Sequence, residues 1–181
     1  MNSISLPAGS PLLKNTFLYG TATSSFQIEG DVDNRLECIW DRFCERPSAI
    51  ADHSNGDVAC DHIARWREDF DILLDLNVDA YRFSISWPRV ITQEGELNPK
   101  GVAFYKTLVD ALNEKGIKPF VTLYHWDLPQ HLEDQGGWLY RQTAFAFEDY
   151  VDKITQALGE SVFSYATFNE PFCSAYLGYE I

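Results

Sequence analysis

Basic residues are scarce. Fourteen Lys and Arg stand against 27 Asp and Glu in 181 residues, a formal net charge of −13. A protein that neutralises phosphates needs a cationic surplus, so nucleic acid is excluded as a default partner. An acidic surface also disfavours anionic membranes and suits a neutral substrate. Sulfur is scarce too, with one methionine and four cysteines, at 38, 44, 60 and 173. No pair of cysteines has C-x-x-C spacing and no histidine stands at zinc-finger distance, so a disulfide or metal framework is not expected. The histidines, at 53, 62, 125 and 131, form no His-x-His pair after the first strand, which argues against a metal-dependent barrel hydrolase. Long apolar runs are missing: nothing approaches the ~18 residues of a membrane span. Met1–Asn15 lacks the basic segment and apolar run of a signal peptide. Reduced thiols and no leader predict a cytoplasmic protein without cofactor, metal or membrane partner.

What remains is 45% apolar and 14% aromatic, the composition of a packed domain. The length suits one domain, but a complete eight-stranded β/α barrel needs roughly 200 residues or more. Strand and helix patterns alternate. Residues 17–22 read as a first strand, and a long Asp-rich segment follows from Glu29 to Asp57. Ile63, Trp66, Phe70, Leu73 and Leu74 gather on one face of a helix. A second strand spans 80–86. Asn98 caps the next helix with Pro99 in its first turn; Phe104, Leu108 and Leu112 stack along it, and Lys115-Gly116 ends it. A third strand follows at 118–124, and Phe147, Val151, Ile154 and Leu158 mark a third helix that Gly159 stops. Residues 164–169 form the fourth strand, and 172–179 begin another βα connection. The order βαβαβαβ predicts a parallel sheet with right-handed crossovers.

Parallel sheets carry their chemistry beyond the C-terminal ends of the strands. Those ends hold Gln27 and Glu29 after the first strand, Arg82 and Trp87 at the second, His125, Trp126 and Asp127 after the third, and Asn169-Glu170 after the fourth. Hydrogen-bonding groups interleaved with aromatic rings suit a sugar, which has hydroxyl edges and apolar faces. From the residues alone, His125 serves equally as a satisfied core histidine and Glu170 as a turn residue. Arg82, in a strand otherwise suited to burial, predicts an inward pairing. Trp66 and Trp87 read as core, Trp126 and Trp138 as sugar platforms, and Glu29 and Asp127 as structural hydrogen-bonders.

Five stretches then fall in one order: FLYGTATSSFQIEG at 17–30, AYRFSISWPR at 80–89, VTLYHWDLP at 121–129, GGW at 136–138 and TFNEP at 167–171. In these the chain resembles the N-terminal part of family 1 glycoside hydrolases, the β-glucosidase family, over about residues 15–181. The resemblance implies the first four βα units, strands 1–4, of a (β/α)8 TIM barrel, with residues 1–181 a single partial domain. It implies a retaining β-glycosidase, most simply a β-glucosidase acting on terminal β-D-glucosyl residues of a β-glucoside or oligosaccharide. Glu170 would be the acid/base, and Arg82 would lie against the nucleophilic carboxylate. Asn169 would contact the 2-hydroxyl, Gln27 the 3- and 4-hydroxyls and His125 the 3-hydroxyl, with Trp126 walling the subsite.

Two departures from the family pattern stand out. The run Asn34-Arg35-Leu36-Glu37-Cys38-Ile39-Trp40 replaces a family loop motif whose role is structural. More important, retaining hydrolysis needs two carboxyl groups ~5–5.5 Å apart, and the family's nucleophile lies on the seventh strand, past residue 181. Asp127, the nearest internal carboxylate, sits in a structural motif. The chain by itself is therefore expected to be inactive. Its expected partner is a C-terminal half-barrel, supplied by a second polypeptide or by the other product of a nick after Ile181. A shortened chain ranks next, and two copies forming a pseudo-barrel rank last. The competing reading is a carbohydrate-binding fragment without turnover.

Overall fold

The computed structural model describes residues 5–180. Met1–Ile4 and Ile181, the latter expected in a βα loop, lie outside the described residues. In chain order the elements are β1 (Gly20–Ala22), α1 (Ser25–Ile28), α2 (Ile39–Cys44), α3 (His62–Asp75), β2 (Ala80–Ser84), α4 (Trp87–Val90), α5 (Pro99–Glu114), β3 (Lys118–Tyr124), α6 (Gln130–Glu133), α7 (Arg141–Leu158) and β4 (Ser164–Phe168). Cys173–Leu177 winds as a short π-helical turn. The four strands form one sheet in the order β1-β2-β3-β4, every neighbouring pair parallel. Each crossover carries one of the long helices, α3, α5 or α7, which is half of a β/α barrel.

Alternation along β2 sorts the faces. Tyr81 and Phe83 are buried in the helix layer, with ring centroids 6.1 Å from Phe70 and 6.5 Å from Tyr105 respectively. Arg82 and Ser84 therefore face the other way, into the barrel interior, at the level where Ser84 is in register with Thr122. The helices close the outer layer through Phe70, Tyr105, Leu108, Leu112, Tyr150 and Ile154, all buried. Each such side chain contributes roughly 1.5–3 kcal/mol by leaving water.

Local signals set the helix ends. The Asn98 side chain accepts a hydrogen bond from the Lys100 backbone amide at 3.2 Å, and Pro99 occupies the first turn of α5. Gly116 (φ 74°) and Gly159 (φ 64°) take positive φ values, open to glycine at little cost, where α5 and α7 stop. Leu74, expected on the buried face of α3, is exposed, because it stands about 100° around the helix from buried Leu73. The first strand is shorter than residues 17–22: only Gly20–Ala22 has partners on β2, and Phe17 and Tyr19 are exposed. The second and fourth strands end at Ser84 and Phe168, one or two residues early, as the backbone turns toward the loops.

The loop after β1 is fastened by a buried ion pair. Arg89 Nε donates to Glu29 Oε2 at 3.0 Å, Nη2 to the Gly30 carbonyl at 2.8 Å and Nη1 to Asp31 Oδ2 at 3.0 Å. Tyr105 donates its hydroxyl to the other Glu29 oxygen. Glu29 is thus the structural residue it was expected to be. The divergent run 34–40 also has a structural place. The Leu36 amide donates to Pro88 O at 2.9 Å, the Ile39 amide to Leu128 O at 3.0 Å, and Arg35 pairs with Asp41 at 2.6 Å. Among the described residues, no helix is long and apolar enough to cross a membrane, no group of three His, Cys, Asp or Glu could hold a metal ion, and the four cysteines are free.

Candidate active site

The site is built at the C-terminal ends of the strands. Arg82 projects from the interior face of β2 and reaches over two strands. Its Nε donates to Thr122 Oγ1 on β3 at 2.8 Å and its Nη2 to Asn169 Oδ1 beyond β4, also at 2.8 Å. Both partners are neutral. Asn169 is buried, and its amide N–H still donates to the Tyr124 carbonyl at 2.9 Å, which prolongs the sheet by one residue. With Oδ1 occupied by Arg82, the Asn169 side chain presents its Nδ2 donor.

Two strand-end residues have backbones that L-residues rarely adopt. Trp126 has φ 76° and Glu170 has φ 43°. Such conformations cost on the order of 1–3 kcal/mol each and persist where the surroundings fix them. Trp126 is fixed by its indole N–H, which donates to the Asn169 carbonyl at 2.9 Å. Glu170 Oε2 accepts the Cys173 thiol at 3.3 Å, and its side chain is otherwise exposed.

His125 sits between these groups. Burial, and then the Arg82 charge, push its imidazole down to about 4, with Glu170 opposing them. Its ring is therefore neutral at pH 7, and its Nδ1 has no partner among the described residues. An NMR titration of the imidazole should give a midpoint near 4, and Arg82→Gln should raise it while leaving burial unchanged. A midpoint near the ordinary ~6.5 would contradict this environment.

Gln27 lies on α1, exposed, and lines a cleft of about 290 Å³ with His125, Trp126, Ser24, Phe26 and Trp40. On the far side of Trp126, a second cleft of about 500 Å³ is walled by Trp40, Phe43, Trp138, Cys173 and Tyr179. The structure brings Gln27, His125 and Trp126 into one cleft. It joins Arg82 to Asn169, with Glu170 next in the chain. Trp138 borders the second cleft only. Its ring packs among Tyr124, Phe147 and Phe168, and its N–H donates to the Tyr124 hydroxyl at 3.1 Å. That makes it part of an aromatic cluster more than a free platform. Thr122, Trp40 and Cys173 join the site without having stood out in the sequence. The strand alternation Phe120, Thr122, Tyr124 was the available signal for the first, and the i+3 spacing from Glu170 for the last.

Four parallel strands joined by three helical crossovers, with polar and aromatic groups gathered at one end of the sheet, make this the N-terminal half of a (β/α)8 barrel. The chain belongs to glycosyl hydrolase family 1, whose family model matches residues 10–181. It is 49% identical over 166 residues to a β-glucosidase of Agrobacterium sp., covering 90% of this chain and 36% of that protein. The crystal structure of a family 1 β-glucosidase from Exiguobacterium antarcticum superposes with a TM-score of 0.89 at 48% identity, over 92% of this chain and 38% of that one. A Thermotoga maritima β-glucosidase in complex with deoxynojirimycin matches with a TM-score of 0.85 at 47% identity, over 90% and 37% of the two chains. The chain thus spans little more than a third of the length of these relatives.

Proposed function

We propose that this chain, as a single partial domain of four βα units, supplies the acid/base half of a retaining β-glucosidase. Its substrate is a β-linked glucoside or oligosaccharide with a terminal non-reducing β-D-glucosyl residue. Its partner is a C-terminal half-barrel, on the same or another polypeptide, that carries the nucleophilic carboxylate. The four free thiols support a reducing, cytoplasmic setting.

In the first step the nucleophile attacks the anomeric carbon, the C–O bond to the leaving group breaks, and Glu170 gives its proton to the departing oxygen. In the second, Glu170 takes a proton from water, whose oxygen attacks the anomeric carbon and releases the nucleophile. Asn169, turned by Arg82, donates from Nδ2 to the 2-hydroxyl. Gln27 holds the 3- and 4-hydroxyls. Neutral His125 can donate to or accept from the 3-hydroxyl, and Trp126 walls the sugar face. Arg82, on the interior face, lies against the incoming nucleophile. The observation that supports the reading is that Asn169, next to Glu170, accepts from Arg82 at 2.8 Å and from the indole of Trp126 at 2.9 Å, Trp126 lining one cleft with Gln27 and His125.

The test is the stereochemistry of the barrel completed with strands five to eight. Proton NMR of aryl β-glucoside hydrolysis should show the β-anomer of glucose first, with the α-anomer appearing only by mutarotation. Initial α-anomer, or no hydrolysis, would overturn the reading.

A further inference from the structure

Gln27 and His125 line one cleft, yet they stand on loops 98 residues apart in the chain and share no hydrogen bond among the described residues. Helix α1, which carries Gln27, has four residues and no side-chain cap at Ser24. One turn of helix does not hold itself in water, so its position comes from tertiary anchors. Ser84 on β2 accepts the Ser25 amide at 2.8 Å and donates its hydroxyl to Ser25 Oγ at 3.0 Å. The Ser25 hydroxyl in turn donates to Asp127 Oδ2 at 2.8 Å. Ser25 opens α1 two residues before Gln27, and Asp127 directly follows His125-Trp126.

We infer that Asp127 is a positioning residue: through Ser25 it clasps the loop carrying Gln27 to the loop carrying His125 and Trp126, and so sets the spacing of the groups that read the sugar hydroxyls. The inference rests on the reading of this cleft as a sugar subsite.

A residue needed only to fill this space would serve better as an apolar side chain. Asp127 is 1% exposed, and burying a carboxylate is costly unless it is matched by polar partners. Burial, with the Glu29 charge nearby, pushes its carboxyl up to about 7. Its Oδ1 has no partner among the described residues and borders a space of about 10 Å³ between Ser25, Glu29, Arg35, Cys38 and Ser86, roughly the room one water needs. The clasp also pins the C-terminal side of Trp126, whose left-handed backbone demands fixing from both directions.

The experiment is a double-mutant cycle in the completed barrel, with kcat and KM measured for an aryl β-D-glucoside and its 3-deoxy analogue. Asp127→Ala should lower kcat/KM for the glucoside by about 10–100-fold, the range expected when binding groups are misplaced by about 1 Å. Ser25→Ala should act in the same direction, and Asp127→Asn, which keeps an acceptor for Ser25, should recover most of the loss. Gln27→Ala should cost much less in the Asp127→Ala background than alone, and the Asp127→Ala penalty should shrink on the 3-deoxy analogue. A general loss of folding would not produce that coupling. If Asp127→Ala does not fold, Ser25→Ala carries the same cycle. Independent, multiplying penalties, or an equal penalty on both substrates, would overturn the clasp while leaving the glucosidase reading intact. An inactive wild-type barrel would overturn that reading and the clasp together.

Discussion

Glu170→Gln is expected to lower kcat of the completed barrel by about 10²–10⁴-fold on a glucoside with an alkyl or sugar leaving group, the range that general acid–base catalysis supplies. The amide keeps the shape of the side chain and its left-handed backbone site, but it has no proton to give the departing oxygen. A 2,4-dinitrophenyl glucoside needs no such proton, so its first step should lose far less. The second step still lacks a base to deprotonate water. An added anion that attacks without deprotonation, such as azide, should therefore restore turnover of the activated substrate. Steady-state kinetics on the two glucosides, with and without azide, check this. Equal losses of kcat/KM, which reports the first step alone, on both substrates, or retained turnover of the alkyl glucoside, would remove Glu170 from the acid/base role.

The second large effect is on stability. Arg89→Met should destabilise the fold by about 3–5 kcal/mol, the usual cost of leaving one member of a buried ion pair alone. The Glu29 and Arg89 side chains are 6% and 3% exposed, so water cannot replace the lost guanidinium. Methionine keeps much of the volume but forfeits the bonds to Glu29, the Gly30 carbonyl and Asp31. Adding Glu29→Gln removes the stranded charge and should recover part of the loss. Urea unfolding midpoints of the single and double variants decide. A loss under about 1 kcal/mol for Arg89→Met would mean the pair behaves like a surface bridge.

Local chemistry made much of the fold legible. Asn98-Pro99 and Gly116 bracket α5 because caps and left-handed stops are decided by one or two residues. The apolar run of β3 and the stripe of α7 followed from periodicity. The segment between β1 and α3 was not legible in the same way. Helices α1 and α2 have four and six residues, too few for periodicity to register, and their anchors are distant groups such as Ser84, Pro88 and Leu128. Trp138 looked like a platform because an indole after a strand carries no sign of what it will pack against.

The site divided along the same line. Polar and aromatic groups at strand ends were visible in the residues, and they pointed to a sugar. The roles given to Glu170, Gln27 and His125 came from the resemblance. The partners that orient the site could be read from neither. Arg82 meets Asn169 across 87 residues of sequence, and it reaches Thr122 only because β3 lies beside β2, with Thr122 two residues beyond Phe120, the register partner of Arg82.

In the proposed division of the chemistry, this chain holds the acid/base and half of the sugar subsite. That division is checked by aryl β-glucoside turnover by the 181-residue chain alone, and again after the C-terminal half-barrel is added. The chain alone should release no aryl product above the buffer rate, and the added half should restore turnover in the ordinary enzymatic range of about 1–10³ s⁻¹. Turnover at such rates by the isolated chain would contradict that division.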